Sequence, residues 1–132
     1  MNSDLARSLT SEVLNSRKCR WVGVYEVTDD RISLVAHTGT KAPAFPSFPV
    51  TQGLSGVAIS TKTHVISNDV RNDPRYLTAF GSSGSEMIVP IIERDIVVGT
   101  VDLESDELDA FRDEDAAVVD EIVRRVLSTQ TR

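Results

Sequence analysis

This sequence carries a single cysteine, Cys19, in 132 residues. No internal disulfide can form, so a reducing compartment is the default. Positive charge is also scarce: 14 Lys and Arg stand against 20 Asp and Glu, a net charge of -6. Nucleic-acid binding needs clustered Lys and Arg to neutralise phosphates, and the lone pair Arg124 and Arg125 makes no such patch. No apolar run approaches the ~20 residues of a membrane helix. The opening MNSDLARSLT has neither the basic start nor the apolar stretch of a signal peptide. These absences lead to the expectation of a cytoplasmic protein with no nucleic-acid or membrane partner.

What is present is ordinary for a globular chain: 40% hydrophobic and 26% charged residues. The length predicts one domain, residues 1–132, able to bury a core without staples. Met1 and the compact length favour a whole protein. Leu5, Leu9 and Val13, behind Ser3 and Asp4, predict a short first helix. RWVGVYEV and RISLVAHTG read as strands joined by a TDDR turn. TKAPAFPSFP, with three prolines, reads as loop. GLSGVAISTKT predicts a short helix, HVISNDV a strand, and RNDPRYLTAF a turn into a helical stub. SEMIVPIIE and DIVVGTVDLES form a strand pair around ERD. The last segment is helical, with Val119, Ile122, Val123 and Val126 on one stripe, acids first and two arginines late. The fold class is therefore α+β, an antiparallel sheet with the terminal helices on one face. The Pro-rich loop and central helix would cover a small-molecule pocket on the other.

Strand parity sharpens that expectation. Trp21, Gly23 and Tyr25 share one strand face, and Asp102 and Glu104 share another. If the intervening valines and Leu103 pack under the helices, Trp21, Tyr25, Asp102 and Glu104 point to the loop-covered side, with Glu86 beside them. Two aromatics beside three carboxylates suit a small cationic ligand such as an amine. Solvated or Arg-paired carboxylates and plain core aromatics are the competing readings.

The run FGSSGSEMIVP, residues 80–90, fits no enzymatic motif. A nucleophile elbow needs G-x-S-x-G before a helix, and a P-loop ends in G-K-[ST]. What remains is a loop whose backbone amides approach a ligand closely, or a permissive turn. His37 and His64 lie far apart at no metal-binding spacing, so no metal is expected. Each reads as a surface or satisfied histidine. Lys18 and Arg20 flank Cys19 and could lower its pKa, but no resolving thiol exists and a structural or idle thiol is the better reading; no motif points to a cofactor.

The order WVGVYEV, LVAHTG, GLSGVAISTKTHVISNDVRNDPRY, SEMIVPIIERDIVVGTVDLES and FRDEDAAVV resembles the GAF domain over nearly the whole chain. The resemblance implies a central antiparallel sheet, a ligand pocket, a sensory role in signal transduction, and homodimerisation through the terminal helices. It is strongest toward the free methionine-(R)-sulfoxide reductases, whose pocket residues would correspond to Trp21, Tyr25, Glu86, Asp102 and Glu104. Their three cysteines correspond here to Phe45, Ser55 and Ala79, and Cys19 matches none of them. The expected function is a non-catalytic small-molecule sensor whose ligand is a free amino acid or a related polar molecule, with no catalytic residue. Ser55 and Ser83 join the ligand contacts through the Gly53–Gly56 and GSSG loops. A reductase-like enzyme and a ligand-free dimerisation module, its pocket filled by Phe45, Phe48 and Phe80, are the alternatives.

Overall fold

The structure, a computed structural model, describes residues 1–17 and 19–130. Lys18, read above as a neighbour of Cys19, lies outside them. The chain runs α1 (Ser3–Ser16), β1 (Trp21–Val27), β2 (Arg31–His37), β3 (Ser47–Pro49), α2 (Gly53–Thr61) and β4 (Val65–Ser67). A single 3-10 turn at Val70–Asn72 precedes β5 (Ser85–Glu93), β6 (Ile96–Ser105) and α3 (Asp113–Gln130). All strands pair antiparallel in one six-stranded sheet of order β3-β2-β1-β6-β5-β4.

Alternation along β1 and β6 splits the core in two. Val22, Val24, Val101 and Leu103 face the helices, where they pack with Leu5, Leu9 and Val13 of α1 and the apolar stripe of α3. Val119, Ile122, Val123 and Val126 are all buried, each contributing about 2 kcal/mol of apolar burial. Arg17–Asp115 and Arg125–Glu12 ion pairs, both 2.7 Å, fasten α1 to α3. Trp21, Tyr25, Ile32, Phe48 and Phe80 form a separate cluster on the opposite face.

Four local expectations need correction. The first helix is capped by Asn2, whose side chain accepts from the amides of Asp4 and Leu5, and not by Ser3 or Asp4. The Pro-rich segment contains β3. It pairs at the sheet edge, where Pro49 is tolerated because an outward N–H is not needed. Phe48 supplies the buried side chain that fixes this strand. No helical stub follows Pro74: the 3-10 turn Val70–Asn72 precedes it, and 73–84 crosses the pocket side as irregular chain. Arg124 and Arg125 stop short of the last turn of α3 and serve ion pairs with Glu121 and Glu12.

Two turns carry their own signatures. Arg94 and Asp95 both adopt positive φ, 51° and 70°, the geometry of a tight two-residue hairpin between β5 and β6. At Gly84 an added Cβ would lie 2.8 Å from the backbone of Asp106 and Glu107. Only glycine lets these two chain segments pack so closely.

Candidate functional site

Three strands assemble an acidic cluster on the sheet face away from the terminal helices. Asp102 and Glu104 stand two residues apart on β6. The β5 register sets Glu86 opposite Glu104 and Ile88 opposite Asp102. On the other flank β1 sets Trp21 opposite Glu104 and Gly23 opposite Asp102. One carboxylate oxygen from each of Glu86, Asp102 and Glu104 lies within 4.8 Å of the other two. Their exposures are 5%, 4% and 0%. Among the described residues no basic side chain forms an ion pair with any of them.

Buried like charges this close favour protonation. Burial, then the charges of Asp102 and Glu104, hold Glu86 well above the ordinary carboxylate range. Asp102 is raised by burial and by Glu104. Glu104 is raised by burial as well, but hydrogen bonds from Ser83 and Tyr76 oppose the rise. Ser83 Oγ donates to Glu104 Oε1 at 2.6 Å and Tyr76 Oη donates to the same oxygen at 2.9 Å. Asp102 Oδ1, Glu104 Oε2 and the Trp21 Nε1–H have no hydrogen-bond partner among the described residues. The Tyr25 phenol, raised by burial and then by Asp102, stays protonated.

A cavity opens above Glu86 and Asp102. Tyr25 and Phe48 form its sides, and Gly53, Leu54 and Ser55 bring in the first turn of α2. Leu77 and Ala79 roof it from the 73–84 segment, and Phe45, 47% exposed, stands at its edge. Its volume is about 20 Å³, room for roughly one water. Gln52, the residue before α2, makes no side-chain cap, so that helix start keeps its amide donors uncapped by a side chain.

Tyr25, Ser55, Glu86 and Asp102, of the residues singled out from sequence, line this cavity. Trp21, Ser83 and Glu104 stand beside it. Trp21 is packed edge-on to Phe80 at 5.1 Å and stacked on His37 at 6.0 Å. Ser83 acts through Glu104. The GSSG run does not rim the cavity: Ser82 bonds Asp106, Ser83 bonds Glu104, and Gly84 packs on backbone. Phe45, Ser55 and Ala79, distant in sequence, all line the one cavity. Phe48 and Phe80 are buried beside it, whereas Phe45 is not.

Sequence reasoning missed Tyr76 and Leu77. Tyr76 ends the quoted NDPRY stretch, but nothing in a lone tyrosine after a turn says that its hydroxyl reaches a carboxylate 28 residues later. Cys19 sits on the helix side of the sheet. Burial raises its thiol to about 11, outweighing the backbone hydrogen bond at Trp21 and the Arg20 charge that lower it. The Arg20 charge does act to lower it, but burial wins, in keeping with the structural or idle thiol read from the sequence. His37 Nδ1 meets the Thr38 carbonyl, and His64 pairs with Asp113 at 2.8 Å.

Six antiparallel strands in one sheet with the terminal helices paired behind it make an α+β domain of GAF-like architecture. A GAF domain family model matches residues 3–126, and the chain belongs to that family. Over 125 residues it is 27% identical to the free methionine-R-sulfoxide reductase of Escherichia coli (strain K12), covering 91% of this chain and 74% of that protein. The structure of a type II free methionine-R-sulfoxide reductase from Thermoplasma acidophilum superposes with a TM-score of 0.80 at 28% identity, covering 94% of both chains. The Neisseria meningitidis reductase, solved in complex with its substrate, gives 0.82 at 25% identity, covering 95% of this chain and 77% of that one. Among the described residues no helix is long and apolar enough to cross a membrane.

Proposed function

We propose that this chain is a small-molecule-binding sensory GAF domain without redox turnover, whose ligand is a free amino acid or a close polar relative. The observation that carries the reading is the composition of the cavity wall. The three positions at which the reductases carry cysteines by resemblance, Phe45, Ser55 and Ala79, surround it together with Glu86 and Asp102, and none bears sulfur. A thiol route would have to use Cys19, which lies on the far side of the sheet with a raised pKa. Binding remains chemically reasonable. A ligand ammonium would displace the protons shared by Glu86 and Asp102, and a ligand carboxylate would meet the amides at the start of α2.

The test is the denaturation midpoint against a panel of amino acids, methionine sulfoxide, nucleotides and nitrate. A binder at 100 times its Kd stabilises by about 2.7 kcal/mol. Stabilisation by one member that disappears in Glu86→Gln supports the reading, and no shift from any member refutes it.

The second reading is a dimerisation module with no ligand, favoured by the small volume of the cavity. Homodimerisation belongs to both readings. We place it on α1 and α3, where Leu14 is 36% exposed and Val118 and Leu127 are only partly buried. Sedimentation should show a dimer that Leu14→Glu with Leu127→Glu dissociates. A cytoplasmic setting, with neither nucleic acid nor membrane as partner, completes the proposal and rests on charge and composition.

A further inference from the structure

The cavity is much smaller than the ~300 Å³ at the low end of small-molecule sites, so part of its roof must move to admit a ligand. The roof has two parts. One is anchored: β3 is hydrogen-bonded into the sheet, and α2 buries Leu54 and Ala58 against Val65 and Ile88. The other, residues 73–84, contains neither helix nor strand. Its Gly84 end is pinned, the Gly84 amide donating to the Ser105 carbonyl at 2.8 Å and the Val70 amide to the Gly84 carbonyl at 2.9 Å. Before Gly84, outside the strap's own turns, the backbone tie is the Ala44 amide bonded to the Ala79 carbonyl at 3.0 Å.

What holds this strap is a side-chain lock. Tyr76 Oη and Ser83 Oγ, seven residues apart on the strap, donate to the same Oε1 of Glu104 on β6. Arg20 braces the second point, donating to Ser83 Oγ at 2.8 Å and lying over the Phe80 ring at 4.6 Å. Shallow surface clefts flank Tyr76 on both sides, one beside Thr51 and Val57, the other beside Val70 and Arg71. The strap therefore has free space into which it can swing. Glu104 itself is fully buried and does not line the cavity.

Building on the ligand-binding reading above, we propose that residues 73–84 are the gate of the cavity, that Tyr76 and Ser83 latch it on Glu104, and that Glu104 is a positioning residue while Glu86 and Asp102 meet the ligand. The Gly84 end is pinned, and Ser82 is tied to Arg71 and Asp106 at the surface. Among the described residues, the stretch from Pro74 to Thr78 has no backbone bond outside its own turns and hangs on the Tyr76 hydroxyl, which places it at the low end of local stability. The sheet beneath stays closed when it opens.

The experiment needs no ligand. Trp21 is the only tryptophan, is 3% exposed, and packs on Phe80 of the strap. Tyr76→Phe with Ser83→Ala, or Tyr76→Phe alone where the double variant does not fold, is compared with the unaltered protein. Expected are an acrylamide quenching constant for Trp21 raised at least twofold and amide hydrogen exchange in 73–84 accelerated about tenfold. Exchange in β1, β5 and β6 should be unchanged. Glu104→Gln, which keeps the acceptor oxygen, should leave the strap protected, whereas Glu104→Leu should open it. Unchanged exchange in 73–84, or an equal acceleration in the strands, overturns the latch. These readouts stand even where no panel ligand binds, so latch and ligand reading fail separately.

Discussion

Glu86 and Glu104 face each other directly across β5 and β6, both buried, with Asp102 one step along the same face. Like charges opposite one another destabilise a sheet, and desolvation adds to the cost. The free protein answers by holding protons in this cluster.

The first prediction is an inverted pH dependence. Glu86, Asp102 and Glu104 all have folded-state pKa values raised above their unfolded ones. The native state then binds more protons than the unfolded chain between those two values, so stability falls as pH rises through this window. The contribution is fully present below the unfolded pKa of about 4. Urea denaturation of the ligand-free protein should give lower stability at pH 8 than at pH 6. Asp73, held below the usual range first by its hydrogen bond from Arg75, adds the opposite slope only in more acid solution. A rise in stability from pH 6 to 8 contradicts this assignment.

Glu86→Gln removes one buried acid and leaves an amide of nearly the same shape. In the ligand-free protein at pH 8 it should stabilise by about 1 kcal/mol and flatten the slope just described. The same variant should lose the response to any amine-bearing ligand, an exchange of stability for function. Equal or lower stability than the unaltered protein at pH 8 means that the carboxylate is better satisfied than its surroundings indicate.

The two glycines of the GSSG run separate cleanly. Gly81 has nothing within 4 Å of an added Cβ, whereas at Gly84 that atom meets backbone of Asp106 and Glu107 at 2.8 Å. Backbone cannot yield as a side-chain tip does, so Gly84→Ala should cost about 2 kcal/mol. Gly81→Ala should stay within about 0.5 kcal/mol. Chemical denaturation of the two variants side by side checks this, and equal effects would show that the 106–107 turn shifts freely.

These contrasts show what was legible in the sequence. Alternation in WVGVYEV and VDLES states which side chains share a face, so the acid cluster follows from the β5–β6 register. Residues 47–49 were hidden because prolines on either side of Ser47 and Phe48 mimic loop, and pairing at a sheet edge overrides that local signal. Tyr76 and Ser83 were hidden for another reason. Their roles depend on two hydroxyls converging on Glu104, a long-range coincidence without periodicity. The resemblance aligned Phe45, Ser55 and Ala79 one at a time, and only the fold brings them around one cavity.

The final prediction separates the cavity from the lone thiol. With a pKa raised to about 11, Cys19 at pH 8 is about 0.1% thiolate, against roughly a quarter for an unperturbed cysteine near 8.5. Alkylation by iodoacetamide should run about two orders of magnitude slower in the folded protein than in urea. Cys19→Ser should leave any ligand-induced stabilisation unchanged, because the side chain lies on the helix side of the sheet. Ala79→Cys, by contrast, places a thiol on the cavity wall. In a Cys19→Ser background its labelling should slow when a stabilising panel ligand is added, reporting occupancy directly. Thiol-dependent loss of free methionine-(R)-sulfoxide by the unaltered protein, abolished in Cys19→Ser, would instead overturn the reading without redox turnover. The raised pKa and the packing of Cys19 against the helix-side core both argue against that route.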